Sequence, residues 1–533
     1  MADTGVPRSS TRAPTAMVAS ADHLATQAGL EALALGGNAV DAAIATNAAV
    51  AVVGPHMCGM GGDLFALVHD GTTVHALNAS GRAGSGADAA TLRAEGRTEM
   101  PFRHDVRSVT VPGCVDGWCT LHERFGRLPL TTVLAPAIRL AEHGFPASPL
   151  LVGSLSMLDD RGREQLSELA TQARRPGDRV RRPGVGAALR ALAADGRDAF
   201  YLGAFGDGLL ALGKGWFDRR DVQRSGADWV TPLAADAFGR TLHTIPPNSQ
   251  GYLLLGAAVL ADRLDGGGVR ALPADPDDPQ WAHMLVEAAK AAGRDRPDVL
   301  ADDADGVALI EAIARRGDEI DPNRVATIAR AHDNGDTTYL CAVDGDRMGV
   351  SLIQSNASNF GSWLVEPTTG INLHNRGLGF SIQAGHPAEV APGRRPPHTL
   401  SPAIATHANG SLSSVFGTMG GDGQPQILLQ IAARLFRHEQ SPAMAIDAGR
   451  WVLHGPVTGF DTWTATAGPH LLVEGHVPAH WRTELAQRGH DVRVEAPFDS
   501  TFGHAHAIVV DARTGMLVGA ADPRSLVGSV AGM

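Results

Sequence analysis

The chain changes texture at residue 337, and that break constrains its fold more than any other feature. From Thr131 to about Arg315, Ala- and Leu-rich stretches broken by Gly and Pro read as mostly helical, with no repeat of fixed period. After Thr337 short apolar runs take over: "TTYLCAV", "MGVSLIQS", "AIATHA", "SSVFGTM" and "HAIVV" predict strands, with helices near Gln424 to Arg437 and Pro442 to Arg450. Helices followed by strands across 533 residues predict one layered α/β body built from both halves, although length alone would allow two to four average domains. The start of the chain is sharper. Ala21 to Leu35 predicts a helix stopped by Gly36-Gly37, Asn38 caps a second over Ala39 to Val53, and Gly54-Pro55 ends it. A Gly-rich loop, "CGMGGD", and a strand, "LFALVHDG", follow.

Hydrophobic residues make up 44% and charged residues 19%, ordinary for a globular protein of enzyme size. A net charge of −12 without any Lys/Arg run excludes nucleic acid and anionic membranes as partners, because phosphate binding needs a local cationic excess. Cys58, Cys114, Cys119 and Cys341 lack metal-ligand spacing and read as reduced thiols. "MADTGVPRSSTRAPTAM" has no apolar signal core and the longest apolar run is interrupted by Asp41 and Asn47, so a cytoplasmic location is expected. No cofactor is expected either. "GLLALGKG", Gly208 to Gly215, has phosphate-loop spacing but ends in Gly215 where Ser or Thr should ligate magnesium. His504 and His506 share one face of a strand without a third or fourth ligand beside them, so they read as structural and not as a metal site.

"NGDTTYLCAVDGD", Asn334 to Asp346, runs from a polar tether straight into a strand. Asp344-Gly345 is a hairpin signal; a two-residue loop at Gly345 and Asp346 sets Thr337 opposite Gln354, with Ser355 one step further on. A threonine hydroxyl is a weak nucleophile unless a base takes its proton, and an α-amino group on the same residue, pKa about 7.7 to 8, is one solution. Freeing that amine means cutting the Asp336–Thr337 bond, which the Thr337 hydroxyl can do by attacking the Asp336 carbonyl. The resulting ester is then hydrolysed by water. A Thr that opens a strand is otherwise an ordinary structural residue, so this reading needs an oxyanion site. "FGTMGGDGQPQILLQIAARLF" offers a strand, a glycine turn and a helix with Pro425 near its first turn, where the N–H groups of Gly420 and Gly421 can meet a developing alkoxide. A plain strand-to-helix turn is the alternative.

The segments "GGNAVDAAIA", "GMGGDLFALVHDG", "VPGCVDGW", "GDTTYLCAVDGDRMGVSLIQS", "NFGSWLVEPTTGINLHNRGLGFS", "RRPPHTLSPAI", "GTMGGDGQPQ" and "GAADPRS" resemble, in order and spacing, the γ-glutamyltransferase family, from about Met17 to Gly532. The resemblance implies an N-terminal-nucleophile hydrolase with a four-layer αββα sandwich. It also implies a precursor that cleaves itself at Asp336–Thr337 into a large subunit, residues 1–336, and a small one, 337–533, which stay together as a heterodimer and can pair again. By the same resemblance Thr337 is the nucleophile, Ser355 stands where the family has a Thr bonded to it, and Gly420 and Gly421 form the oxyanion hole. The acyl group would pass to water or an amine.

The substrate pocket departs from the family pattern. Leu378 and Gly379 stand where typical members carry an acidic pair for the substrate's α-amine, Arg376 follows Asn375 in "HNRGLGF", and His398-Thr399 replace paired serines. Arg82 sits two positions later than the arginine that clamps the α-carboxylate. Guanidinium suits a carboxylate better than an ammonium. The pattern resembles a divergent branch that includes oxamate amidohydrolases. Two substrates follow: a γ-glutamyl or related amide, or a small anionic acyl amide read by Arg82 and Arg376 in a pocket with Asn375, His398 and Thr399. A non-catalytic binding protein on the same scaffold has no need of the Thr, Ser and Gly-Gly set.

Overall fold

Two seven-stranded antiparallel sheets stack face to face and carry helices on their outer sides, in a computed structural model that describes residues 9–264, 271–326, 336–454 and 470–533. One sheet runs in the order Ser529–Gly532, Met17–Ser20, Asp336–Val343, Gly349–Ala357, Asp63–His69, Val74–Ala79, Asp228–Val230. The other runs Thr11–Ala13, Leu517–Ala521, Ala505–Val510, Leu412–Thr418, Ala403–Thr406, Arg240–Thr244, Leu233–Ala237. Met17, Phe65, Tyr339 and Ile353 of the first sheet meet Ile404, Val415, Ile508 and Leu517 of the second in a dry central layer. Burying side chains of this size contributes roughly 1.5–3 kcal/mol each. The outer faces are covered by His23–Ala34, Ala39–Val53, Cys114–Phe125 and Leu130–His143 on one side, and by Tyr252–Arg263, Pro279–Gly293 and Gln424–Ala432 on the other. This is the αββα sandwich.

The helical hairpin forms where the sequence places it. Asp22 caps His23–Ala34, and Asn38 and Asp41 make a reciprocal capping box on Ala39–Val53. All fifteen residues of the second helix are buried. Its Ala and Val side chains let the partner helix approach so closely that a methyl on Gly29 would overlap the Thr46 hydroxyl. Much of the chain's Ala and Gly content therefore serves close packing.

Two expectations change. Within the region read as mostly helical, Asp228–Val230, Leu233–Ala237 and Arg240–Thr244 are edge strands of the two sheets. Phe238 and Gly239, both with positive φ, make the two-residue turn between the last two. The Asp344-Gly345 turn is longer than two residues: the last ladder pair is Val343–Gly349, and Asp344 Oδ1 accepts from the N–H groups of Asp346 and Met348. That loop shifts the register by one, pairing Thr338, not Thr337, with Gln354. Gly208 to Gly215 falls largely within the helix Ala204–Leu212, which leaves no phosphate-binding loop there. The tether ahead of Thr337 lies outside the described residues beyond Ala326. Up to that point it is held by Val325 N–H on the Arg488 carbonyl and Ala326 N–H on Glu287.

Gly417 lies against the ring of Tyr339 on the facing sheet, two residues beyond Thr337, and a methyl there would overlap the ring. Gly417→Ala is expected to cost roughly 1–3 kcal/mol by overpacking. Urea unfolding of the substituted and unsubstituted chains, both carrying Thr337→Ala, measures it. An unchanged midpoint would mean that the sheets slide freely at this point.

Candidate active site

Thr337 points into the space between the sheets, on the same strand face as Tyr339 and Cys341. Its hydroxyl is buried and donates to Ser355 Oγ at 3.0 Å. The Thr338–Gln354 pair carries Ser355 opposite Thr337 when continued by one residue, and the ladder then slips to Asp336–Ala357. Ala357 takes a φ of 73° at this bulge, and its N–H donates to Ser355 Oγ at 2.8 Å. Ser355 also accepts from Arg376 Nη2 at 3.2 Å. The Arg376 guanidinium is thus linked to the Thr337 hydroxyl through Ser355, two hydrogen bonds away.

Arg376 leaves the strand Ile371–Leu373 on a short 3-10 turn and is buried. Its Nη1 donates to Thr399 Oγ1 at 3.2 Å, and its Nε lies 3.7 Å from Asp63 Oδ2. Burial pulls its pKa down to about 10, against the attraction of Asp63 and Asp422, so the group is charged at neutral pH. Asp63, the first residue of its strand, also meets His398 Nε2 at 2.9 Å, His374 Nδ1 at 3.5 Å and the Gly81 N–H at 3.0 Å. Burial pushes the Asp63 carboxyl up, but the contacts with His374 and His398 outweigh it and hold the group below the usual carboxylate range. Burial, with Arg376 beside it, lowers His398 to about 3, which leaves it neutral.

Gly420 and Gly421 take φ of 135° and 52° in the turn that follows the strand Leu412–Thr418. Side chains rarely adopt such values. Neither N–H donates to a partner among the described residues. Gly421–Gly423 then winds into the helix Gln424–Ala432, with Pro425 in its first turn. Gln250 Nε2 joins the two halves of the site by donating to the carbonyls of Thr399 at 2.9 Å and Gly421 at 3.1 Å. A cavity of about 580 Å³ reaches this site at Thr399 and is lined further by Arg296, Leu378, Gly379, Phe380 and, as its acids, Glu99 and Asp298. No acid stands at residues 378 and 379, and a side chain on Gly379 would run into the Pro397 carbonyl.

The structure therefore brings Thr337, Ser355, Arg376, His398 and Thr399 into one hydrogen-bonded cluster linked to the Gly420-Gly421 turn. Arg82 is elsewhere. It pairs with Asp228 at 2.7 Å and Asp302 at 3.8 Å, donates to the Gly393 carbonyl and lines a separate cleft with Arg220 and Arg224. Its charge is taken, so the expected reading of an acyl anion by Arg82 loses its geometry. Asn375 ties loops, donating to the Phe102 carbonyl at 2.8 Å and accepting from the Ser358 N–H. Asp63, Asp422 and Arg296 were not among the sequence candidates. Asp63 had a signal, a carboxylate opening an otherwise apolar strand, and Asp422 sits inside the glycine turn itself.

His504 meets Ser500 Oγ at 2.8 Å and His506 accepts from the Asp522 N–H at 3.3 Å. Among the described residues His283, Glu287 and His490 come close enough to hold a metal ion. There, however, the Lys290 ammonium sits 3.0 Å from Glu287 and the two imidazoles bond each other at 2.8 Å, so a cation is already supplied.

The gamma-glutamyltranspeptidase family model matches residues 25–532. An oxamate amidohydrolase proenzyme of Klebsiella pneumoniae is 37% identical, over 96% of this chain and 97% of its own length. A glutathione hydrolase-like proenzyme of Bacillus subtilis is 34% identical, over 95% and 97%. The crystal structure of a cephalosporin acylase from Bacillus halodurans superposes with a TM-score of 0.89 at 33% identity, covering 100% of this chain and 98% of that one. Shared over nearly its whole length, in sequence and in architecture, the chain belongs to the γ-glutamyltranspeptidase family of amide-cleaving proenzymes.

Proposed function

We propose that the protein is a self-processing amidohydrolase that works through an acyl-enzyme on Thr337 and takes small acyl amides with an anionic acyl part. The observation that carries this reading is the Thr337 hydroxyl, buried, bonded to Ser355 and next to Arg376. Maturation starts when Thr337 Oγ1 attacks the Asp336 carbonyl. The C–O bond forms, the Asp336–Thr337 C–N bond breaks, and the hydroxyl proton ends on the released amine. Water then hydrolyses the ester and leaves chains 1–336 and 337–533. In the mature enzyme the Thr337 α-amine takes the hydroxyl proton, the substrate carbonyl oxygen is met by the Gly420 and Gly421 N–H groups, and the acyl group passes to water or an amine.

The substrate class rests on the pocket. An α-ammonium needs a carboxylate partner; Leu378 and Gly379 provide none, the acids that line the cavity are Glu99 and Asp298, and Arg296 stands among them as the cavity's cation. A relative named oxamate amidohydrolase fits this reading. The glutathione hydrolase-like relative keeps γ-glutamyl amides as the second reading. Four unpaired cysteines, three of them buried, suit the cytoplasm, and no helix among the described residues is long and apolar enough to cross a membrane. The two product chains hold together because each sheet contains strands of both: Met17–Ser20 lies between Ser529–Gly532 and Asp336–Val343 in one, and four strands from Ala403 onward lie between Thr11–Ala13 and Arg240–Thr244 in the other.

Asp63 positions Arg376 and does not touch the reacting atoms. Its negative charge offsets a guanidinium that burial penalises.

Intact mass of the wild type is expected to show two fragments that co-purify, the smaller beginning at Thr337, while Thr337→Ala stays whole; an uncut wild type would end the self-processing reading. For the mature enzyme kcat/KM is expected to rise with pH as the α-amine loses its proton, with an inflection below about 8 because Arg376 lies nearby; a flat profile from pH 5 to 9 would point to another base. Asp63→Asn, in a Thr337→Ala precursor, is expected to lose about 3 kcal/mol in thermal unfolding at pH 7. Because the Asp63 pKa is depressed in the fold, that gap should be full above about pH 4 and fade only in stronger acid. A gap that did not depend on pH would show that charge is not its source.

A further inference from the structure

An anionic acyl group needs a cation at the cavity, and Arg82 is not there. Arg296 is. It opens the short helix Arg296–Val299 and lines the 580 Å³ cavity together with Thr399, Leu378 and Gly379. Its Nη2 lies 3.2 Å from Asp422 Oδ1, and Asp422 follows Gly421 in the oxyanion turn. The residue is only 9% exposed, and its Nε is buried without a hydrogen-bond partner among the described residues. Arg82 and Arg182 have such a buried Nε too, but of the three only Arg296 lines this cavity, so its guanidinium is the one placed to meet a ligand there. Arg376 is less suited to the task, because its guanidinium is committed to Ser355, Thr399 and Asp63.

We propose that Arg296 is the specificity-determining residue of this site. Asp422 fixes one edge of its guanidinium, and the remaining N–H groups bind a carboxylate on the acyl part of the substrate while the scissile carbonyl faces Gly420 and Gly421. The substrate class is the short dicarboxylic monoamide. Its two ends are read by one turn, since the residue that holds Arg296 is the neighbour of Gly421. An acyl group with an ammonium in that place would meet the Arg296 charge, and Asp422, the acid beside it, is engaged with the guanidinium; Glu99 and Asp298 line the same cavity and are the acids such a group would have to reach instead. This inference rests on the amidase reading above and names its substrate.

The test compares wild type, Arg296→Gln and Arg296→Lys on oxamate and succinamate against the neutral diamides oxamide and succinamide. Self-cleavage at Thr337, read by intact mass, is the check on folding. Wild type is expected to prefer the monoamides. Arg296→Gln is expected to mature normally and to lose about 100-fold in kcat/KM on the monoamides, mainly through KM, with little change on the diamides. Arg296→Lys, which keeps the charge without the fork, recovers part of the loss. If the Gln variant does not mature, the Lys variant carries the same comparison. Equal losses on both substrate classes, or none, would overturn the role of Arg296 while the amidase stands. A wild type that ignored all four and cleaved a γ-glutamyl anilide would overturn the substrate class but not the Thr337 chemistry. A wild type left uncut would take down both.

Discussion

Everything at the active end of this molecule depends on one cross-strand pair, Thr337 beside Ser355. Side chains alternate along a strand, so a slip of one residue would turn one of the two hydroxyls away from the other. The register is set at the far end of the hairpin, roughly 20 Å away for six residues of strand. There the Asp344 carboxylate shapes the turn through the N–H groups of Asp346 and Met348, and its second oxygen accepts from the Ala39 N–H at the start of the buried helix. The hairpin loop and the helical layer therefore share one anchor. The Thr337 hydroxyl is placed by an interaction at the far end of the hairpin that has no contact with it.

A second constraint is charge in a dry place. Asp63, Arg376, Asp422 and Arg296 form an alternating series, with Asp63 against Arg376 and Asp422 against Arg296, and Arg376 feels both of the latter. Such groups stay ionised in a low dielectric only when each has a partner, and removing one member exposes the desolvation cost of the next. Arg376 is held charged beside Ser355 for this reason. His398, caught between the same charges, is kept neutral and serves as a hydrogen-bonding spacer between Asp63 and the Leu400 N–H.

The parts of this design legible in sequence were those written in local grammar. Caps and glycine stops located the helical hairpin, alternation located the strands after Thr337, and the glycine turn before Pro425 stood out because few turns need two successive residues with positive φ. The hairpin register was not legible, because an Asp-Gly pair suits several loop lengths and Asp344 chose its length by bonding to a helix about 300 residues earlier. The edge strands between residues 228 and 244 were hidden for a similar reason: Ala-rich segments have no strong β preference, and pairing with the sheets decides them. Arg82 looked like a substrate clamp from its place in a motif. Only the fold shows Asp228 and Asp302 waiting for it, and only the fold brings Arg296 beside Asp422 from 126 positions away.

Self-cleavage inside a central strand has a structural logic of its own. Asp336–Val343 is paired along its length with Gly349–Ala357, but with Met17–Ser20 only from Leu340 onward, so among the described strands the segment around Thr337 is braced by a ladder on one side alone. The braced side keeps the hydroxyl on Ser355 whether or not the peptide bond before it is intact. The Thr337 hydroxyl, its Ser355 partner and the Gly420-Gly421 turn are thus ordered by folding of the uncut chain, and on the proposed mechanism only the amine that cleavage frees has still to be placed.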